Sequence, residues 1–119
     1  MEDMRIEVLK SKIHQVKITQ AELHHMGSIT IDETLMEAAD IVENEKVQVV
    51  NINNGERLET YVIKGEKNSR EDCLNGPVAR LAQGGDVVIK ISYASINKTD
   101  ASSHSPILFF PNDNNELTA

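Results

Sequence analysis

Aromatic side chains are scarce in this chain, with two Phe, two Tyr and no Trp making up 3% of its 119 residues. A core without large rings is built from aliphatic groups, stays lean, and gains from association with further copies. The single cysteine, Cys73, excludes an internal disulfide and any cysteine-rich zinc site, and suits a reducing compartment. Positive charge is also in short supply. Twelve Lys and Arg stand against nineteen Asp and Glu, a formal charge of -7, which argues against a nucleic-acid or anionic-membrane surface and obliges a small anionic ligand to find a local cationic pocket. No apolar run approaches a membrane span, and the first residues, with acids at Glu2 and Asp3, lack the form of a secretion signal. These absences lead to the expectation of a soluble cytoplasmic protein, a single domain over 1–119 with no room for a second core.

What is present is a succession of short alternating segments separated by turn residues, the pattern of a small, mainly β barrel or sandwich. Ile6 and Val8, then Ile13, Val16 and Ile18, predict one or two strands. Another is predicted from about Ser28 through Ile29 and Ile31 to Asp32, which is a good helix N-cap for an apolar stripe of Leu35, Met36, Ala38, Ala39 and Ile41. Val47, Val49 and Ile52 lead to Asn54-Gly55 and on to Leu58, Thr60 and Val62, a hairpin signature. Gly65 to Asp72 is predicted as a polar loop, Asn75-Gly76-Pro77 as a turn, and Val78 to Ala82 as one helical turn. Gly84-Gly85-Asp86 breaks the chain again before a central strand from Val87 to Tyr93. A last strand is predicted from Ile107 to Phe110, with a loose polar tail beyond Pro111.

Several residues carry chemical possibilities. In Gly27-Ser28 a hydroxyl lies beside its own preceding carbonyl, and attack on it gives an N-to-O acyl shift. Elimination of the resulting ester and hydrolysis of the dehydroalanine would turn residue 28 into a pyruvoyl group, a built-in ketone able to serve as pyridoxal does. A Gly-Ser pair arises by chance in about one such chain in three, so alone it proves nothing. The four His, at 14, 24, 25 and 104, match no zinc spacing, and no metal is expected. His14 can serve proton transfer during self-cleavage or be a structural His. Arg57 offers a planar fork for a carboxylate, Tyr61 a phenolic proton, and Lys12 a second cation. Strict alternation puts Arg57 and Tyr61 on one face of their strand and Thr60 on the other, so a common pocket needs a bulge or a site formed between subunits.

The ordered set Lys12-Ile13-His14, Gly27-Ser28-Ile29-Thr30-Ile31-Asp32, Asn54-Gly55-Glu56-Arg57, Thr60-Tyr61, Asn75-Gly76, Gly85-Asp86 and Ser92-Tyr93-Ala94 resembles the bacterial aspartate 1-decarboxylase family over about Val8 to Pro111. The resemblance implies a six-stranded double-psi β-barrel with short helices, assembled as a homotetramer with its site between subunits. It implies a proenzyme that cuts itself between Gly27 and Ser28 into a β chain (1–27) and an α chain (28–119), with Thr60 taking part. The pyruvoyl group derived from Ser28 would form a Schiff base with L-aspartate and release CO2 and β-alanine for pantothenate and coenzyme A synthesis. Tyr61 corresponds to the proton donor, while Lys12, Arg57, Thr60, Asn75, Gly76, Pro77 and Val78 correspond to the substrate pocket. His25 stands where many members carry Tyr, and Pro77-Val78 replaces a usual pair of Ala, which removes the N–H donor at 77. Asp72 falls where an apolar residue is common and is expected to shorten its strand. The rival readings are a non-catalytic β-barrel interaction module and a pyruvoyl decarboxylase of another amino acid.

Overall fold

Period-two alternation does make strands of about half of the described residues. The computed structural model describes residues 4–22, 27–76 and 84–116, and within them the elements are β1 (Arg5–Lys17), β2 (Gln20–Glu22), β3 (Ser28–Asp32), α1 (Glu33–Ala39), β4 (Lys46–Asn51), β5 (Arg57–Gly65), β6 (Asp72–Asn75), β7 (Val87–Asn97), a 3-10 helix (Lys98–Ser103) and β8 (Ile107–Phe109). Six of these strands have four residues or more, matching the expected count, and β2 and β8 add three residues each. The expected helical turn at Val78 to Ala82 lies outside the described residues.

All eight strands join in one sheet, ordered β2-β6-β3-β5-β4-β7-β1-β8. β1 and β2 lie near opposite ends of that order, yet only Ile18 and Thr19 separate them in sequence. Six inter-strand gaps in a flat sheet span about 29 Å, whereas three Cα steps reach about 11 Å. The sheet therefore curls until its ends meet. Main-chain bonds seal the junction: Ile18 N–H donates to Asp86 O at 2.7 Å, and Thr19 N–H to Asp72 O at 2.9 Å. Parallel pairings of β1 with β8, β2 with β6 and β3 with β5 interleave with the antiparallel ones.

The barrel is filled by aliphatic side chains, Ile13 and Val16 of β1, Ile29 and Ile31 of β3, and Val62 and Val88 among them, all fully buried. Its one aromatic neighbour among the described residues is the partly buried Phe109. α1 packs Leu35, Met36 and Ala39 onto this core. Asp32 caps it as expected, its Oδ1 accepting from Thr34 N–H and Asn68 N–H, both at 2.8 Å, while Oδ2 accepts from Arg70 N–H at 2.7 Å. One carboxylate thus fixes both the helix start and the 66–71 loop.

Two local expectations are refined, at β1 and at the hairpin, and two are corrected, at the tail and at Asp72. β1 is a single strand of 13 residues, bent after Leu9 and again after Ile13, where Gln15 takes φ +61°. The Asn54-Gly55 hairpin is wider than a two-residue turn, since β4 ends at Asn51 and β5 begins at Arg57, with Gly55 at φ +77°. The tail beyond Pro111 is anchored: buried Asn115 accepts from Lys17 N–H and donates to Lys17 O, both at 2.8 Å. Asp72 does not cut its strand short but opens it, fully buried, with Lys90 Nζ of β7 donating to its Oδ2 at 2.5 Å. Because β6 and β7 are not neighbours in the sheet, this ion pair crosses the barrel interior. Burial pushes the Asp72 carboxyl up and the Lys90 ammonium down, each opposed by the attraction of its partner.

A second polar cluster lies where α1 returns to the sheet. Glu45 accepts from Lys10 Nζ at 2.8 Å, from Val42 N–H at 3.1 Å, and from the Ser92 hydroxyl. Burial raises its carboxyl, but these donors outweigh burial and hold it below the usual carboxylate range.

Two outcomes follow. Asp72→Leu or Lys90→Leu alone strands a buried charge and should cost about 3–5 kcal/mol in chemical denaturation, whereas the double replacement should be neutral or stabilising by about 1–4 kcal/mol. A lowered folded-state carboxyl contributes stability that is present above its unfolded value and lost as pH falls through the folded one. Glu45→Gln should therefore flatten the acid limb of the stability–pH curve below the ordinary carboxylate range and leave the alkaline limb unchanged.

Candidate active site

Ser28 owes its position to the sheet. It is the first residue of β3, and β3 pairs antiparallel with β6 so that Ser28 stands opposite Asn75. Asn75 Nδ2 donates to Ser28 Oγ at 2.9 Å and to Thr30 Oγ1 at 3.0 Å. The other end of the same amide, Oδ1, accepts from the Cys73 thiol at 3.2 Å. Ser28 is fully buried and Asn75 nearly so. An amide N–H at the serine oxygen favours negative charge developing there when the hydroxyl becomes a nucleophile.

On its other side β3 runs parallel to β5, with Ile29 beside Val62, so Ser28 stands beside Tyr61 one rung earlier. Ile29 and Val62 belong to the core, hence Ser28 and Tyr61 share the opposite face. Thr60 does not join them. It stands opposite the buried Val47 on β4, so its half-buried side chain lies on the core side of β5. The β4–β5 register is continuous and no bulge brings Thr60 to the Tyr61 face.

Arg57 and Lys12 lie on that outer face too. Arg57 is exposed, and its Nη1 donates to Gln48 Oε1 at 3.0 Å. Gln48 and Lys12 flank Ile91 from the two neighbours of β7. Neither Arg57 nor Lys12 has an acidic partner within 4.0 Å among the described residues. Along β5, Arg57 lies four residues from Tyr61, about 13 Å of strand. His14 packs its ring against Phe110, centroids 5.3 Å apart. Gly76, which follows Asn75, turns the chain at φ +77°. Pro77, Val78 and His25 lie outside the described residues. At Gly27 an added Cβ would meet nothing within 4 Å among the described residues, and its φ is not in the left-handed region. Neither crowding nor backbone strain, in this conformation, is what calls for glycine at position 27.

Thr30 and Cys73, which orient the Asn75 amide, escaped sequence reasoning. Period two from Ser28 selects Thr30, but the β3–β6 register that adds Cys73 is not visible locally. Gln48 was missed because its link to Arg57 depends on how β4 pairs with β5. No cluster of metal-ligating side chains occurs among the described residues, and no helix there is long and apolar enough to cross a membrane.

Comparison with known proteins gives this geometry a context. The computationally designed msDPBB_sym2 protein, a double-psi β-barrel, superposes with a TM-score of 0.50 at 14% identity, covering 73% of this chain and 99% of that one. The fold is thus a double-psi β-barrel. An aspartate 1-decarboxylase of Cytophaga hutchinsonii is 68% identical over 114 residues, 96% of this chain and 99% of the relative. That of Caldicellulosiruptor saccharolyticus is 60% identical over 114 residues, 96% of this chain and 89% of the relative. The profile of the aspartate decarboxylase family matches residues 4–118. With that match over nearly its whole length, the chain belongs to the aspartate decarboxylase family.

Proposed function

We propose that the chain is an aspartate 1-decarboxylase that makes its own pyruvoyl group from Ser28, converting L-aspartate to β-alanine and CO2. The observation that carries this reading is the buried Ser28 at the head of β3, whose oxygen accepts from Asn75 Nδ2 and whose neighbour in the strand register of β5 is Tyr61. In maturation the Ser28 oxygen attacks the Gly27 carbonyl carbon, the C–N bond breaks, and the amide becomes an ester. Elimination then releases the Gly27 carboxylate with residues 1–27. Hydrolysis of the new end gives ammonia and the ketone on residues 28–119. The Asn75 N–H stays at the oxygen through which the ester forms.

A carbonyl at position 28 supplies an electron sink for the pair left when CO2 departs. The chain's own residues do the rest. Arg57 and Lys12, cations without acidic partners among the described residues, attract the dicarboxylate to the outer face of an acidic protein and hold its side-chain carboxylate. Tyr61, beside position 28, returns a proton to the α-carbon. Asn75 and the turn at Gly76 line the pocket near the reacting end, and the family correspondence extends the substrate-binding set to Pro77 and Val78, which lie outside the described residues. Thr60 lies on the core side of β5, away from the face that carries Ser28 and Tyr61, and His14 can transfer a proton during cleavage.

Spacing along β5 separates Arg57 from Tyr61 by more than aspartate spans, which supports a site completed by a second copy in a homotetramer. The outer face also exposes Tyr93 (48%) and Leu108 (52%), apolar surface suited to such contact. Self-association of this kind is consistent with a core that is short of aromatic residues.

Intact mass of the denatured protein should resolve residues 1–27 and 28–119, the larger reactive toward hydroxylamine. Tyr61→Phe should keep this cleavage and lose about 10²–10⁴-fold in CO2 release, while Ser28→Ala should lose both. Release of CO2 from aspartate by an uncut chain removes the pyruvoyl reading, and preference for glutamate changes the substrate. An uncut chain that releases nothing favours the non-catalytic module.

A further inference from the structure

The environment of Arg57 contains more than the reaction scheme uses. Acids outnumber bases nineteen to twelve in the chain, yet this guanidinium is held by a neutral group. Gln48 Oε1 accepts from Arg57 Nη1 at 3.0 Å and from the Tyr93 hydroxyl at 3.2 Å. Two donors on one carbonyl oxygen fix which way the amide points, and with it the plane of the fork.

An acid is nevertheless close. Glu59 lies two residues from Arg57 on the same face of β5, directly across from Gln48 on β4. Its Oε2 is engaged by Lys46 Nζ at 2.8 Å. Lys46, Gln48, Glu59 and Tyr93, together with Glu7 and Val47, also line a depression of about 420 Å³. One side chain therefore orients the cation without neutralising it, and another occupies the neighbouring carboxylate.

We propose that Gln48, braced by Tyr93, is the positioning residue for Arg57, and that Lys46 keeps Glu59 away from it, so that a ligand carboxylate meets an uncompensated guanidinium. This deepens the role given to Arg57 above and rests on that reading. It also explains why an amide and not a carboxylate suits position 48. Glu there would form the bidentate pair that Arg prefers and would close the fork to substrate.

Succinate tests the arrangement independently of cleavage and turnover, because it carries two carboxylates and lacks the amine needed for reaction. Its dissociation constant is measured by calorimetry on the full protein, alongside KM and kcat for aspartate and the intact mass of each variant. Gln48→Glu should weaken succinate and raise KM by about tenfold or more, with kcat and chain cleavage little changed; Gln48→Met should do so by about fivefold. Lys46→Met should weaken succinate about two- to fivefold, the range of an exposed ion pair, and the effect should shrink at high salt. Adding Glu59→Gln to Lys46→Met should restore wild-type affinity, which loss of a merely structural contact would not allow.

Unchanged succinate affinity in Gln48→Glu overturns the proposal, as does failure of Glu59→Gln to rescue Lys46→Met. A wild-type protein that binds no succinate overturns it as well. Where the wild type binds succinate with the expected variant pattern but stays uncut and releases no CO2, the activity reading fails and the positioning of Arg57 stands.

Discussion

Closure of the barrel hangs on a two-residue link. Ile18 and Thr19 carry the chain from β1 to β2, elements near opposite ends of the strand order, and no flat sheet satisfies that connection. The Thr19 hydroxyl accepts from Asp72 N–H at 2.9 Å, so the same junction sets where β6 begins. β6 in turn sets where β3 begins, and Ser28 is its first residue. The position of the Ser28 hydroxyl therefore follows from the chain junction that fixes the neighbouring strand, β6. Asp72 and Lys90 reinforce it from inside, joining strands that share no backbone hydrogen bonds.

The alternation of strand residues divides labour between the two faces of the sheet. Inward positions build an aliphatic filling crossed, among the described residues, by one ion pair, and outward positions carry Ser28, Tyr61, Arg57 and Lys12 on three strands, β3, β5 and β1. In an acidic protein the outer face holds its cations ready by keeping acids occupied elsewhere, as with Lys46 on Glu59 and Lys10 on Glu45. A local field opposite in sign to the net charge needs no excess of basic residues, only control over which of them are paired.

Much of this was legible in the sequence because it is local. Period two gave β3, β4, β5 and β7, Asp32 announced α1, and alternation alone placed Thr60 and Tyr61 on opposite faces. The ordered motifs gave the family. What the sequence could not give depends on pairing between distant segments. Asp72 looked like a polar interruption because its partner lies eighteen residues on, across the barrel, and Asn115 looked like tail because Lys17 is ninety-eight residues away. Gln48 as a holder of Arg57, and Cys73 at the far end of the Asn75 amide, are likewise products of register.

β1 is an interior strand, lying between β7 and β8, and the partners that flank it lie within residues 87–109. If the backbone is severed ahead of Ser28, the shorter fragment becomes a noncovalent insert in a sheet owned by the longer one. Its departure would lay bare two sheet edges at once and release the Asn115 clasp, so the nicked species is held together by complementation alone. Unfolding would then also separate the pieces, making recovery a second-order process that dilution slows. Maturation of this kind exchanges a fold that one chain holds alone for an assembly whose recovery depends on concentration.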